Sequence, residues 1–207
     1  MLPGGSRPLL SGLAVVLAPL VVAAAAVAPG EAPPAAPGHV AQAQPPNPDA
    51  EIVADFLARV AEYQALREKI ESTLSPLPSQ PTPEEFNTRQ HELERLIRRA
   101  RPTARPGDLL TPPVRAFIRR QLARALQGPE GDNIRESIMA DNPRGVRIQI
   151  NGRYPDGVPL STVPPQVLLL LPRLPDGLEY RFVGQRLLLL DAPAKTVIDY
   201  MDNALRR

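Results

Sequence analysis

The chain has no cysteine among its 207 residues. That absence excludes a disulfide framework, a thiolate metal site, a catalytic thiol and a lipidated cysteine anchor. Histidine is nearly as scarce, with only His39 and His91. His39 falls in a leader segment, and His91, with no second His or Cys to join it, cannot build an ordinary zinc site. A solvated surface imidazole on a helix is the simpler reading of His91 than a ligand or general base. The sequence also lacks a G-x-S-x-G elbow, a phosphate loop, an H-E-x-x-H pair and a dinucleotide fingerprint. Aromatic residues amount to 4%, which leaves little with which to stack sugars or bases. The net charge of +2 is too small to argue for nucleic acid, and the basic residues are nearly all arginine.

Proline is abundant instead, at 27 residues, clustered at 29–48, 76–83, 102–113 and 155–175. Each cluster fixes φ and removes backbone donors, so the chain is expected to break into short elements. Met1 to Ala28 has the layout of a secretory signal: Arg7 in a short leader, then an apolar run from Leu9 to Ala28. Ala41-Gln42-Ala43 is the best small-residue cleavage site, and an uncleaved N-terminal membrane anchor is the rival, because the run approaches the ~20 residues that span a bilayer. Either way the body is expected outside the cytoplasm, in the periplasm or anchored to the inner membrane. Residues 29–48 read as a Pro-rich linker, leaving roughly 160 residues for a modest core.

The body divides into a helical region, 49–144, and a β-rich module, 145–207. Asn47 or Asp49 can cap a first helix over 49–74, whose seam of Val53, Phe56, Val60, Tyr63, Ile70 and Leu74 is interrupted by Arg67. Thr82 to Glu85 forms a capping box and opens a second helix with Phe86, Leu93, Ile97 and Ala100 on one face, so that the two make a helical hairpin. Thr111-Pro112-Pro113 starts a third, with Val114, Phe117, Ile118, Leu122 and Leu126 inward and a stop at Gly128. A fourth is expected over 133–140. From Gly145 the period becomes two: Val146, Ile148 and Ile150 predict a half-buried strand. A short apolar helix follows Thr162. Leu178 to Met201 is the stretch the rest is organised around. It predicts a hairpin turning at Gly184-Gln185, a doubly buried Leu187–Leu190 strand and a third strand carrying the β-branched Val197 and Ile198. The fold class is therefore α+β, with the helices beside a small C-terminal antiparallel sheet.

PGDLLTP at 106–112, NGRYPDG at 151–157 and the run from PLSTVPPQ to RLLLLD at 159–191 resemble an uncharacterised family of small exported bacterial proteins, covering about half the chain. YRFVGQRLLLLDAPAKTVIDYM at 180–201 also resembles the β-hairpin-plus-strand unit of periplasmic proteins of the nickel/cobalt-homeostasis regulator type. This chain lacks a His-rich leader, so the resemblance implies a shape and no site residues. It suggests, as an alternative function, a small periplasmic regulator of metal or stress response.

Two charge features remain. Asp191, Asp199 and Asp202 could pair for glycoside hydrolysis if held across a cleft, but turn-forming, solvated roles are the simpler expectation. The acidic stretch Gly128 to Asn133 lacks the spacing of an EF-hand and reads as a plain loop. Between Arg95 and Arg124 nine arginines face a single acid, Asp108. Arg115, Arg119, Arg120 and Arg124 line one side of the third helix and could meet an anionic envelope component or an acidic protein partner. The acidic first helix could instead balance them internally. No catalytic residue, metal ligand or cofactor is assigned, and nucleic acid is not an expected partner. The expected function is a non-enzymatic structural or interaction module of the cell envelope, working through the arginine strip or an exposed sheet edge.

Overall fold

The Asn47 side chain accepts the Asp49 amide at 3.1 Å and, with Pro48 in the first turn, opens α1 (Pro48–Glu71). The computed structural model describes residues 47–140 and 142–206. The apolar N-terminal run, the cleavage motif and nearly all of the Pro-rich linker lie outside the described residues. α1 buries Phe56, Val60, Tyr63 and also Arg67, so the polar interruption of the seam stays on the seam. α2 (Pro83–Ala100) begins at the complete capping box: Thr82 Oγ1 accepts the Glu85 amide at 3.2 Å, and Glu85 returns a carboxylate to the Thr82 amide at 2.8 Å. Leu93 and Ile97 are buried as expected, but Phe86 is 48% exposed. α3 (Pro112–Ala125) buries Val114, Phe117, Ile118 and Leu122, with Leu126 buried as its C-cap. Its two leading prolines sit where the helix needs no N–H.

α4 (Gly128–Ala140) corrects the reading of residues 128–133 as a loop, because the helix begins five residues earlier than Asn133. Gly128, at φ +68°, turns the chain out of α3. Gly131 then lets α4 press on the end of α3, since a Cβ there would stand 2.2 Å from the Leu126 carbonyl carbon. The acidic side chains of this stretch therefore lie along a helical turn instead of gathering around a loop.

The sheet has the order β1-β4-β3-β2 and is antiparallel throughout. β2 (Leu178–Val183) and β3 (Arg186–Asp191) form the expected hairpin around Gly184, at φ +58°, and Gln185. β4 (Thr196–Met201) is a strand. Leu187 and Leu189 face the helical core, whereas Leu188 and Leu190 join a second cluster with Ile148, Tyr154, Val183 and Val197. Both faces of β3 are thus dry, as its unbroken leucine run implies.

Residues 146–150 do not form the expected strand. The edge of β4 next to them is occupied by β1 (Gly152–Arg153) and its neighbours: Asn151 donates to the Val197 carbonyl at 2.8 Å and Tyr154 to the Lys195 carbonyl at 2.7 Å. A turn closed by Gly152 N–H to Gln149 O at 3.1 Å, with Asn151 at φ +55°, lifts the preceding residues off the sheet plane. Their alternation survives as packing only, with Ile148 buried on the second cluster. The helix after Thr162 shrinks to the four residues of α5 (Pro165–Leu168).

Gly131→Ala should lower the unfolding free energy by about 1–3 kcal/mol, because a methyl group forced against main chain cannot be relieved by a rotamer change. Urea unfolding of the two proteins measures the difference, and Gly128→Ala, where a Cβ would meet nothing within 4 Å, separates that overlap from the strain of a positive φ.

Candidate functional site

Three of the four α3 arginines bond within the molecule, although only Arg115 is half-buried and the others stay exposed. Arg115 donates to the Tyr200 carbonyl at 3.2 Å and Arg119 to the Asp202 carbonyl at 3.3 Å. Arg120 pairs with Asp49 at the start of α1 and lies 5.9 Å from the Phe117 ring centre. Part of the strip is thus balanced by the acidic first helix. Arg124 is exposed and has no partner among the described residues. Two further arginines continue the pattern. Arg101 reaches the Ile198 carbonyl at 3.3 Å, the Asn151 side chain at 2.8 Å and the face of Tyr63 at 5.1 Å, and Arg135 donates to the Leu205 carbonyl. Arginines from the helical layer therefore tie down the main chain of β4 and the residues after it, at Ile198, Tyr200, Asp202 and Leu205 in turn.

The late acids part company. Asp202 is exposed and pairs with Arg186 at 2.7 Å. Asp191 and Asp199 are fully buried, which corrects the expectation of solvated roles. Asp191 does close a turn, accepting the Ala194 amide at 3.0 Å, and it also accepts the Tyr63 hydroxyl at 2.6 Å beside the Arg67 guanidinium at 3.8 Å. Burial pushes the Asp191 carboxyl up, opposed by the Tyr63 hydroxyl, the Ala194 amide and Arg67. Burial, followed by the Asp191 charge, pushes the Tyr63 phenol far up. Asp199 accepts the amides of Leu109 and Leu110 at 2.8 Å each, of Gly107 at 2.9 Å and of Tyr200 at 2.7 Å. A bulge opposite Leu189/Leu190 is what turns Asp199 to the helical side, since the register jumps from Val197 to Asp199 there. Both carboxylates are thus committed to internal bonds, and the paired-acid arrangement of a glycoside hydrolase is not what they form. His91 is exposed on α2, and among the described residues no three His, Cys, Asp or Glu side chains gather as a metal site.

The open feature lies at the other side of the sheet. β2 is an outer strand, and residues 161–177 leave it and return to it as an arc. Ser161 fastens one end, its hydroxyl donating to the Phe182 carbonyl at 2.5 Å and accepting the Phe182 amide at 3.0 Å. Pro175 fastens the other by accepting the Leu178 amide at 3.2 Å, and the Tyr180 hydroxyl holds the Pro172 carbonyl at 3.1 Å. Between arc and strand lies a groove of about 790 Å³, walled by Val163, Leu168, Leu169, Leu171, Leu174 and Leu178. Leu168 is 44% and Leu169 86% exposed. Its volume is that of a ligand pocket.

This groove was missed in the sequence, although a signal for it was present. Four successive leucines, 168–171, step by 100° each on a helix, so a one-turn α5 cannot turn all of them inward. No described helix is long and apolar enough to cross a membrane. Family models, curated proteins and solved structures return no match to the chain.

Asp199→Asn should cost at least about 2 kcal/mol, because the amide that replaces one oxygen turns donors toward donors. Asp191→Ala should cost about 3–5 kcal/mol by stranding the buried Arg67 charge. Thermal or urea unfolding checks both. The raised carboxyl of Asp191 favours folding below about pH 4, and that contribution is lost as pH rises through its folded value. The stability of the natural protein relative to Asp191→Asn should therefore grow as pH falls from 7 to 4.

Proposed function

We propose that this chain is an exported, non-enzymatic interaction module of the bacterial cell envelope, engaging a partner along the outer side of β2. The observation that carries the reading is the open apolar groove, with Leu169 86% exposed at its lip. Isolated surface leucines need no explanation, but leucines gathered around a concave apolar surface favour a partner. The chemistry of the rest supports a scaffold and not a reaction centre: the buried Asp191, Asp199 and Tyr63 are held by internal hydrogen bonds. The export part of the reading rests on the secretory layout of residues 1–28. Arg124 is the α3 arginine left to meet an anionic envelope component, so the strip contributes less than the groove.

In a pull-down from envelope extract, the natural protein should retain partners that Leu169→Glu loses by tenfold or more, while Arg124→Ala changes them little. Equal retention by the natural protein and Leu169→Glu would defeat the reading.

A further inference from the structure

In β2 the residues with odd numbers bond β3, as the Gly177 carbonyl does by accepting the Ala192 amide at 2.9 Å. Leu178, Tyr180 and Phe182 therefore turn their main-chain groups to the open side. Phe182 is met by Ser161 and the Leu178 amide by Pro175. The Tyr180 amide and carbonyl and the Leu178 carbonyl have no partner among the described residues, and Tyr180, only 5% exposed, lines the groove with Leu178. An outer strand with one unmet donor–acceptor pair, set in an apolar trough, fits strand addition by a short extended segment.

Charge narrows the partner. Glu179 and Arg181 at the groove bond each other, and Arg181 also donates to the Ser161 carbonyl at 3.1 Å. Arg173, the remaining charged residue of the lining, is exposed and has no partner among the described residues. We infer that the groove takes an extended apolar peptide segment, bonded through its main chain to Tyr180 and carrying an acidic residue toward Arg173. This rests on the interaction reading above and names its partner chemistry. A hydrocarbon chain would fill the same volume but leave the Tyr180 amide and carbonyl unmet, which costs free energy in an apolar site. A second copy is disfavoured by shape, because Ser161 and Pro175 leave only the Tyr180 amide and carbonyl and the Leu178 carbonyl free, and another β2 would bring its own arc against them. A peptide enters on one residue, with alternate side chains directed at the leucines.

The test selects a phage-displayed random heptapeptide library on the full chain and measures the enriched peptides by fluorescence polarisation. Enriched sequences should carry apolar residues at alternate positions and an Asp or Glu. N-methylation at the central residue and Leu169→Glu should each weaken binding at least tenfold, and Arg173→Glu should shift the preference to basic peptides. Circular dichroism should be unchanged for both variants, since each side chain is exposed. Affinity insensitive to Leu169→Glu or to N-methylation would overturn the assignment. So would dodecylphosphocholine binding or self-association in sedimentation that Leu169→Glu abolishes while no peptide is enriched. If no peptide binds, yet envelope partners still distinguish the natural protein from Leu169→Glu, the peptide assignment falls and the interaction reading stands. If peptides bind the groove but the extract yields no Leu169-dependent partner, the envelope reading falls instead.

Discussion

Past Val197, the side of β4 away from β3 has no strand beside it, and its carbonyls must still find donors. An outer β-edge left bare is both a lost set of hydrogen bonds and a template for aggregation. Guanidinium groups meet this demand: Arg101 serves Ile198, Arg115 serves Tyr200, Arg119 serves Asp202 and Arg135 serves Leu205. A guanidinium presents several N–H groups in a planar fork on a long stem, and so can reach a carbonyl from a helix packed alongside. The helical layer is held to the sheet by these ties as well as by its apolar seam. The arginines at the end of α2 and along α3, with Arg135 of α4, are in this sense part of the sheet's own hydrogen-bond accounting.

The bulge in β4 makes the second half of the same joint. By turning Asp199 toward the helices it offers a carboxylate to the loop at 107–110, which would otherwise bring three amides into the interior without acceptors. That loop sets the entry to α3, and α3 carries Arg115 and Arg119. Asp191 performs a comparable service two residues beyond the bulge, at the C-terminal end of β3, joining the β3–β4 turn to Tyr63 and Arg67 of α1. Gly177, at φ +84°, belongs to this corner too, because a Cβ there would stand 2.5 Å from Arg67. One side of the sheet is consequently tied at several points by charge-assisted bonds, while β2 on the other side keeps main-chain groups of Tyr180 unpaired at the groove.

How much of this was legible depends on the range of the interaction. The capping box at Thr82, the prolines opening α1 to α3, the α3 seam and the hairpin at Gly184-Gln185 are local, and the residues that cause them lie within a few positions of one another. The α+β class follows from the same signals. The strand expected at 146–150 failed because alternation states which face of a segment is apolar, not whether an edge is free to pair with it. The helix at 128–133 was hidden because the use of Gly131 is its closeness to Leu126, which appears only after α3 and α4 meet. Phe86 was placed inward by period alone, and its face turned out to be shallow.

The candidate site shows the same division. By itself the chain's order of residues determined the starts of α1, α2 and α3, the three principal strands and the dryness of β3, since these follow from backbone sterics and burial periodicity. It also flagged Arg67, the late acids and the arginine run as unusual. Only the tertiary structure decided what those charges meet: Asp191 and Asp199 became internal acceptors, three α3 arginines bonded β4, the residue after it or α1, and an unread groove opened beside Tyr180. The physical reason is that a charge's role is set by partners up to 128 residues away, and a groove exists only between segments that the fold has brought together.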